Sequence, residues 1–428
     1  MKISIDAYNI SLLQGTGVAT YGRNLVQAAA ELGHDVSVLF GARTTHSKTP
    51  LLNEIAITEI NAPNDKVSKK KSRFKSMMQG VHGILSSRTA REIKISGQVI
   101  LPDRLQLGNS RYYNIPSLYS TSMGSFRVTG SFTRINVTGT DLFHWTYPLP
   151  IRMPGAFNVY TLHDLVPLRL PYATADFKRS YYHLCKRIVR NADHILTVSE
   201  NSKMDIINIL DADENRVTNI YQSSDMEDYL INVNLEDVQS YVEGLLGIEF
   251  RKYFLFFGAI EPKKNIARII EAYISSNVKT RLVIVGAPGW GSNHDVKLLK
   301  SIAALDRSKR IIWLNYLPRD MLAMVIAGAR ATIFPSLYEG FGLPVLESML
   351  LGTPVITSNI SSLPEIAGDA ALFVDPYNVR SISAKIRQLD SDESLCIDLS
   401  QRGREQSNKF SKKVYSDRLN RFYLKAMG

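Results

Sequence analysis

The second half of the chain reads as an alternation. Short apolar runs at Tyr253–Phe257, Arg281–Val285, Ile311–Leu314, Ala331–Phe334 and Ala371–Val374 alternate with stretches at 265–275, 296–305 and 319–329, where apolar positions recur every three to four residues. Runs of the first kind suit strands buried on both faces, and stretches of the second kind suit amphipathic helices, so their order predicts a doubly wound parallel sheet. The same rhythm opens the chain, with a strand at Lys2–Asp6, a helical stretch at 21–32 stopped by Gly33, and a strand at Asp35–Phe40. It returns at 141–145 and 157–165, followed by a helix at 181–189 and a further one that Ser199 or Ser202 is placed to cap.

Between 44 and 140 the pattern fades. Polar stretches mix with short alternating pieces such as 126–129, which read as strand, and no chemistry can be defended there. Residues 226–250 are acidic and irregular and read as a linker. Near the end, Val414, Tyr415, Leu419, Phe422 and Tyr423 fall at roughly helical spacing. These breaks predict an α/β protein with a first domain over 1–235, a second over 236–408, and a terminal helix over 409–428.

Composition narrows the class. A chain of 428 residues has room for two domains with sizeable cores, and 45% apolar with 21% charged residues is the balance of a soluble globular protein. No run approaches the roughly 18 apolar residues of a membrane span, and the opening residues read as a strand rather than a signal peptide, so a cytoplasmic protein is expected. Cys185 and Cys396 stand far apart and outside any metal-ligand spacing, which implies neither a disulfide framework nor a zinc site. The net charge of +11 permits anionic partners without choosing among them. Its densest run, 66–75, with Lys66, Lys69, Lys70, Lys71, Arg73 and Lys75, suits a solvated segment or an anionic membrane surface. No nucleic-acid-binding motif accompanies it, so nucleic acid is not expected as a partner.

Candidate chemistry concentrates at 334–368. A strand feeds a loop carrying Glu339, Gly340, Phe341 and Gly342, and Pro344 then opens a helix, the layout of an anion-binding strand-loop-helix unit. Glycines let the backbone approach a bulky ligand, and proline at a helix start leaves neighbouring amides, such as those of Leu343 and Val345, free to point at it. Glu347, read within the first helical turn, has two acceptor oxygens that suit a ribose diol. Upstream, Lys263 and Lys264 follow a strand, where positive charge at a helix start calls for an anion. His163 and Asp164 end another strand, at the edge where open α/β sheets bind ligands, and His144 sits on the strand before it. Gly15 and Gly17 lie in the first strand-to-helix turn but lack the third glycine of a dinucleotide fingerprint. Asp211-Ala-Asp213 follows a helix with no acidic partners and reads as a solvated helix end.

The run from Pro335 through Glu339, Gly340, Gly342 and Glu347 to Gly352-Thr-Pro-Val-Ile-Thr resembles the retaining family-4 glycosyltransferases of the GT-B fold. That resemblance implies two Rossmann-like domains facing a central cleft, with a terminal helix crossing back to the first. It implies transfer of a hexose from a nucleotide-diphosphate sugar to a glycan or lipid-linked saccharide, with no cofactor and no metal. The diphosphate would meet Lys263, Lys264 and the amides near Leu343 and Val345. Glu347 would hold the ribose, Glu339 with the backbone from Gly340 to Gly342 the sugar hydroxyls, and Gly15 and Gly17 the cleft floor. His163, Glu339 and Lys264 are the catalytic candidates. Where the family often places arginine, this chain has Ala259, and the Glu-Pro-Lys-Lys-Asn form is similar to mannosyl- and rhamnosyl-type members of bacterial surface polysaccharide synthesis. GDP-mannose is the first expectation for the donor. dTDP-rhamnose, UDP-glucose or UDP-GlcNAc, a sugar-nucleotide epimerase, and a non-catalytic donor-binding subunit remain as alternatives.

Overall fold

The computed structural model describes residues 1–12, 17–44, 47–59, 87–174, 177–224, 226–305 and 310–428. The 66–75 run and Gly15 lie outside them.

Two sheets carry the molecule. The first has eight strands: β1 (Lys2–Asp6), β2 (Asp35–Phe40), β4 (Arg91–Ile93), β5 (Arg111–Asn114), β7 (Leu142–Trp145), β9 (Phe157–Thr161), β10 (His194–Thr197) and β11 (Val217–Asn219). Their order is β11-β10-β9-β7-β1-β2-β5-β4, parallel throughout except that β4 runs antiparallel to β5. Short strands β3 (Arg88–Thr89), β6 (Thr133–Asn136) and β8 (Ile151–Arg152) form a three-stranded side sheet. The second main sheet holds β12 (Tyr253–Phe257), β13 (Arg281–Val285), β14 (Ile311–Leu314), β15 (Ala331–Phe334), β16 (Val355–Ser358) and β17 (Ala371–Val374), in the order β14-β13-β12-β15-β16-β17 and all parallel. All five residues of β12 are buried, as expected for a strand with helices on both faces. Each such apolar side chain contributes about 1.5–3 kcal/mol on leaving water.

Two expectations fail. Residues 126–129 belong to the helix Leu118–Thr129, whose buried Leu118, Ser122, Ser125 and Phe126 keep a helical period that four alternating residues cannot reveal. Gly130 ends it in the left-handed conformation, donating its amide to Phe126 O. The presumed linker also contains the helix Leu235–Leu246. Asn234 caps it, Val238 and Val242 are buried one turn apart, and the acidic residues Glu236 and Asp237 fill its first turn, where the helix dipole favours them. The helix packs on Arg319–Ala327 of the second domain.

The terminal helix Lys412–Met427, capped by Ser411, crosses back to the helix Gly17–Glu31. Its Tyr423 hydroxyl meets His144 Nδ1 at 2.9 Å, and His144 Nε2 meets Thr161 Oγ1 at 2.8 Å. Burial holds His144 down to a pKa of about 3, so it stays neutral and fastens the terminal helix to the first sheet.

Candidate active site

In an open parallel sheet, ligands bind beyond the carboxyl ends of the strands, at the point where strand order reverses. In the second sheet that point lies between β12 and β15. The β12 loop carries Lys263 and Lys264, the β15 loop carries Glu339, and the reversal brings them together. Lys264 Nζ lies 2.6 Å from Glu339 Oε1, and Lys263 Nζ lies 3.7 Å from Oε2. Asn265, in the left-handed conformation, ties the loops by donating to Pro335 O at 2.9 Å and Pro376 O at 2.7 Å. Burial by itself would raise the Glu339 carboxyl, but the two ammonium groups overcome it and hold it down to about 2. Burial likewise opposes charge on Lys263, and Glu339, Asp164 and Glu261 outweigh it, raising its pKa. Glu339 and Lys263 are therefore both ionised.

The glycine loop adds donors. Glu339 N–H goes to Ser361 Oγ at 3.1 Å, and the Ser362 hydroxyl reaches the carbonyls of Glu339 (2.9 Å) and Phe341 (2.7 Å). The amides of Gly340, Phe341, Gly342 and Leu343, by contrast, donate to no protein acceptor among the described residues. Buried amides are normally paired, so four in succession beside two half-buried cations form a site suited to an anion. Gly342 has φ 117°, a conformation that disfavours any side chain.

Three sequence readings need correction here. Val345 N–H donates to Gly342 O at 3.0 Å, so it is not free, because the helix Leu343–Leu350 begins with a tight turn. Pro344 takes the second helical position rather than the first, and Glu347 the fifth, one turn in from the start. The backbone of Phe341 is the part expected at the site, and its side chain is buried edge-on against Phe410.

The first sheet reverses at β1, which lies between β7 and β2, and its carboxyl edge faces the glycine loop. A Cβ on Gly340 would lie 2.7 Å from Asp164 Oδ2 and 3.0 Å from His163 O, and one on Gly17 3.2 Å from Leu343 Cδ1. Gly17, His163, Asp164, Gly340 and Leu343 therefore meet across one cleft. His163 Nε2 lies 3.0 Å from Thr146 O, which only accepts, so Nε2 carries the proton. The ring also packs edge-on against Tyr21 at 4.7 Å, and burial lowers its pKa, so Nδ1 is free of a proton at neutral pH.

The sequence reading missed several groups. Asp6, fully buried at the end of β1, accepts the amides of Thr146 and Tyr8, and burial lifts its carboxyl to about 6. Tyr338 bonds Asp205 and accepts from Asn201 at 2.8 Å, while Arg169 holds the other Asp205 oxygen. Glu365 of the second domain accepts the amides of Glu200 (2.9 Å) and Asn201 (3.1 Å), capping a helix of the first. Only an acid at the end of a strand, at Asp6, was a local signal; the contacts of Tyr338 and Glu365 cross more than a hundred residues, and Arg169 to Asp205 crosses 36.

Asp211 closes the helix Glu200–Leu210 and pairs with Lys186. Among the described residues no group of three or more His, Cys, Asp or Glu is placed to hold a metal, and no helix is long and apolar enough to cross a membrane.

Two doubly wound sheets with facing carboxyl edges and a helix crossing back define a GT-B enzyme. Solved structures share this fold over almost their whole length. Sucrose-phosphate synthase from Thermosynechococcus elongatus matches with a TM-score of 0.68 at 17% identity, covering 99% of this chain and 98% of that one. Anabaena HepE in complex with UDP-glucose matches with a TM-score of 0.65 at 15% identity, covering 99% and 100%. The family model described as glycosyl transferases group 1 matches residues 246–406. The O-antigen chain mannosyltransferase B of Escherichia coli is 36% identical over 270 residues, 61% of this chain and 68% of the relative. The serotype-specific mannosyltransferase WbdA of Escherichia coli is 30% identical over 261 residues, of which this chain spans only 32% of the relative's length. The chain belongs to the group 1 glycosyltransferases and is an enzyme of the glycosyl-transfer class.

Proposed function

We propose that this enzyme transfers mannose from GDP-mannose, with retention at the anomeric carbon, onto a saccharide acceptor in bacterial surface polysaccharide synthesis. The observation that carries the reading is the Lys263–Lys264–Glu339 cluster beside four unpaired amides at the switch point of the second sheet. Departure of a nucleoside diphosphate develops negative charge, and fixed cations and amides in a water-poor cleft stabilise such charge without reorganising. Glu347, on the helix that follows, would take the ribose, and Glu339 with the glycine-loop backbone the sugar hydroxyls. His163, with Nδ1 unprotonated, would accept from an acceptor or sugar hydroxyl. The names of the relatives support mannose and the polysaccharide pathway. The basic run 66–75 would bring the enzyme to the inner face of the membrane, where lipid-linked acceptors lie.

The test incubates the purified chain with GDP-mannose, UDP-glucose, UDP-GlcNAc or dTDP-rhamnose and a mannoside acceptor, and reads the product by NMR. An α-linked mannoside made only from GDP-mannose is the expected result. A product of inverted configuration, or turnover of another donor alone, would overturn the reading.

A further inference from the structure

A second cavity, of about 260 Å³, opens at the far end of the first sheet. Thr44 follows β2, Asn114 ends β5, and Arg91 on β4 pairs in register with Asn114. The cavity therefore lies on the same carboxyl edge as His163, displaced sideways along the sheet. Its polar wall is Thr44, Thr89, Arg91 and Asn114, over an apolar floor that includes Ile93 and Pro116. Asn114 spends its Oδ1 on the amide of Ala42 at 2.8 Å and keeps its NH₂ group for a ligand. Arg91 and both threonine hydroxyls make no bond or ion pair among the described residues and are exposed. Hydroxyl, amide and guanidinium donors above an apolar floor match a pyranose ring, which has hydroxyls around its rim and C–H groups on its faces.

The strands between the two places are β9, β7, β1, β2 and β5, each the neighbour of the next. Four steps at about 4.8 Å put the cavity roughly 19 Å from His163. The intervening edge is aromatic. Half-buried Tyr147 beyond β7 lies 5.4 Å from half-buried Tyr8 beyond β1, which lies 5.2 Å from Tyr119, itself packed over Gly41 beyond β2. Tyrosine faces are electron-rich and attract the C–H faces of sugars, so this ledge suits a saccharide chain laid across it.

We propose that the cavity binds a distal unit of an oligosaccharide acceptor whose terminal unit lies at His163. The proposal rests on the transferase reading above, and it makes the enzyme a reader of acceptor length, acting on chains that several earlier transfers have built.

The test is calorimetric titration of the full chain, with GDP present, by α-mannosides from one unit to lengths beyond the span of the ledge. Affinity is expected to rise with length and level off once the chain reaches the cavity. Arg91→Ala, which removes the charged donor, and Thr89→Trp, which fills the cavity from its exposed side, should each weaken the long mannoside about tenfold and leave the single unit bound as before. Affinity independent of length in the wild type, or long-chain affinity that survives both variants, would overturn the proposal. Turnover of GDP-mannose on the longest mannoside, measured on the same wild-type preparation, tests the transferase reading separately. Length-dependent binding without turnover would sink that reading and leave the cavity assignment standing.

Discussion

The two edges that face each other across the cleft are built by opposite means. The second-domain edge is made of fixed charge and bare backbone: two ammonium groups on one carboxylate, then four amides without acceptors among the described residues. The first-domain edge is mainly aromatic, with His163, Tyr8 and Tyr147 beside the carboxylate of Asp164. Behind it Asp6, whose carboxyl burial pushes toward its protonated form, accepts the amides of Tyr8 and Thr146. One edge is prepared for a charged leaving group, and the other for hydroxyls and C–H faces. The proposed transfer from a nucleoside-diphosphate sugar to a sugar hydroxyl would need both, one at each sheet's switch point.

The largest expected break is on the charged side. Glu339→Gln leaves two half-buried lysines without the carboxylate between them, which costs about 1.5–3 kcal/mol for a lost charge-assisted hydrogen bond. Urea unfolding should show a loss of that order together with loss of turnover, whereas an unchanged midpoint would mean that the trio does not hold the two loops. Restoring charge balance with Lys264→Met in the same chain should recover part of the stability.

The contrast also has opposite signs in pH. Glu339 has a depressed folded pKa, so its contribution is complete above its unfolded value of 4.5 and is lost as pH falls toward about 2. Asp6 has a raised one, so the folded chain holds more protons between 3.8 and about 6, and this group's contribution falls as pH rises through that window. Asp6→Asn should flatten the slope between those values by about 1–3 kcal/mol, read from unfolding midpoints across pH. A slope unchanged by the substitution would return Asp6 to an ordinary carboxyl.

The difference in construction also sets what the sequence revealed. The second-domain strands were legible because each is a short, mainly apolar run, fully buried in β12, β15 and β16, and the loop was legible because its glycines, proline and glutamates stand within about a dozen residues. What the sequence hid is tertiary. Thr146 holds Asp6 on one side and His163 on the other, joining three strands with no spacing rule between them. Glu365 capping a helix that begins at Glu200, and Tyr338 on Asp205, exist only because the two domains meet. The helix Leu118–Thr129 was hidden for a different reason: three of its six buried residues, Thr121, Ser122 and Ser125, are polar, so binary patterning has less to read. Likewise Val345 kept its place in the motif while its amide turned out to be spent on Gly342 O.

The central claim is that the charged edge is a nucleoside-diphosphate site, and calorimetric binding of GDP, UDP and dTDP to wild type and Glu347→Ala tests it most directly. The account predicts selective binding of GDP and an affinity at least roughly tenfold weaker in the variant, the loss of a charge-assisted hydrogen bond to the ribose. Absence of binding by all three nucleotides, or GDP affinity unmoved by Glu347→Ala, would contradict it.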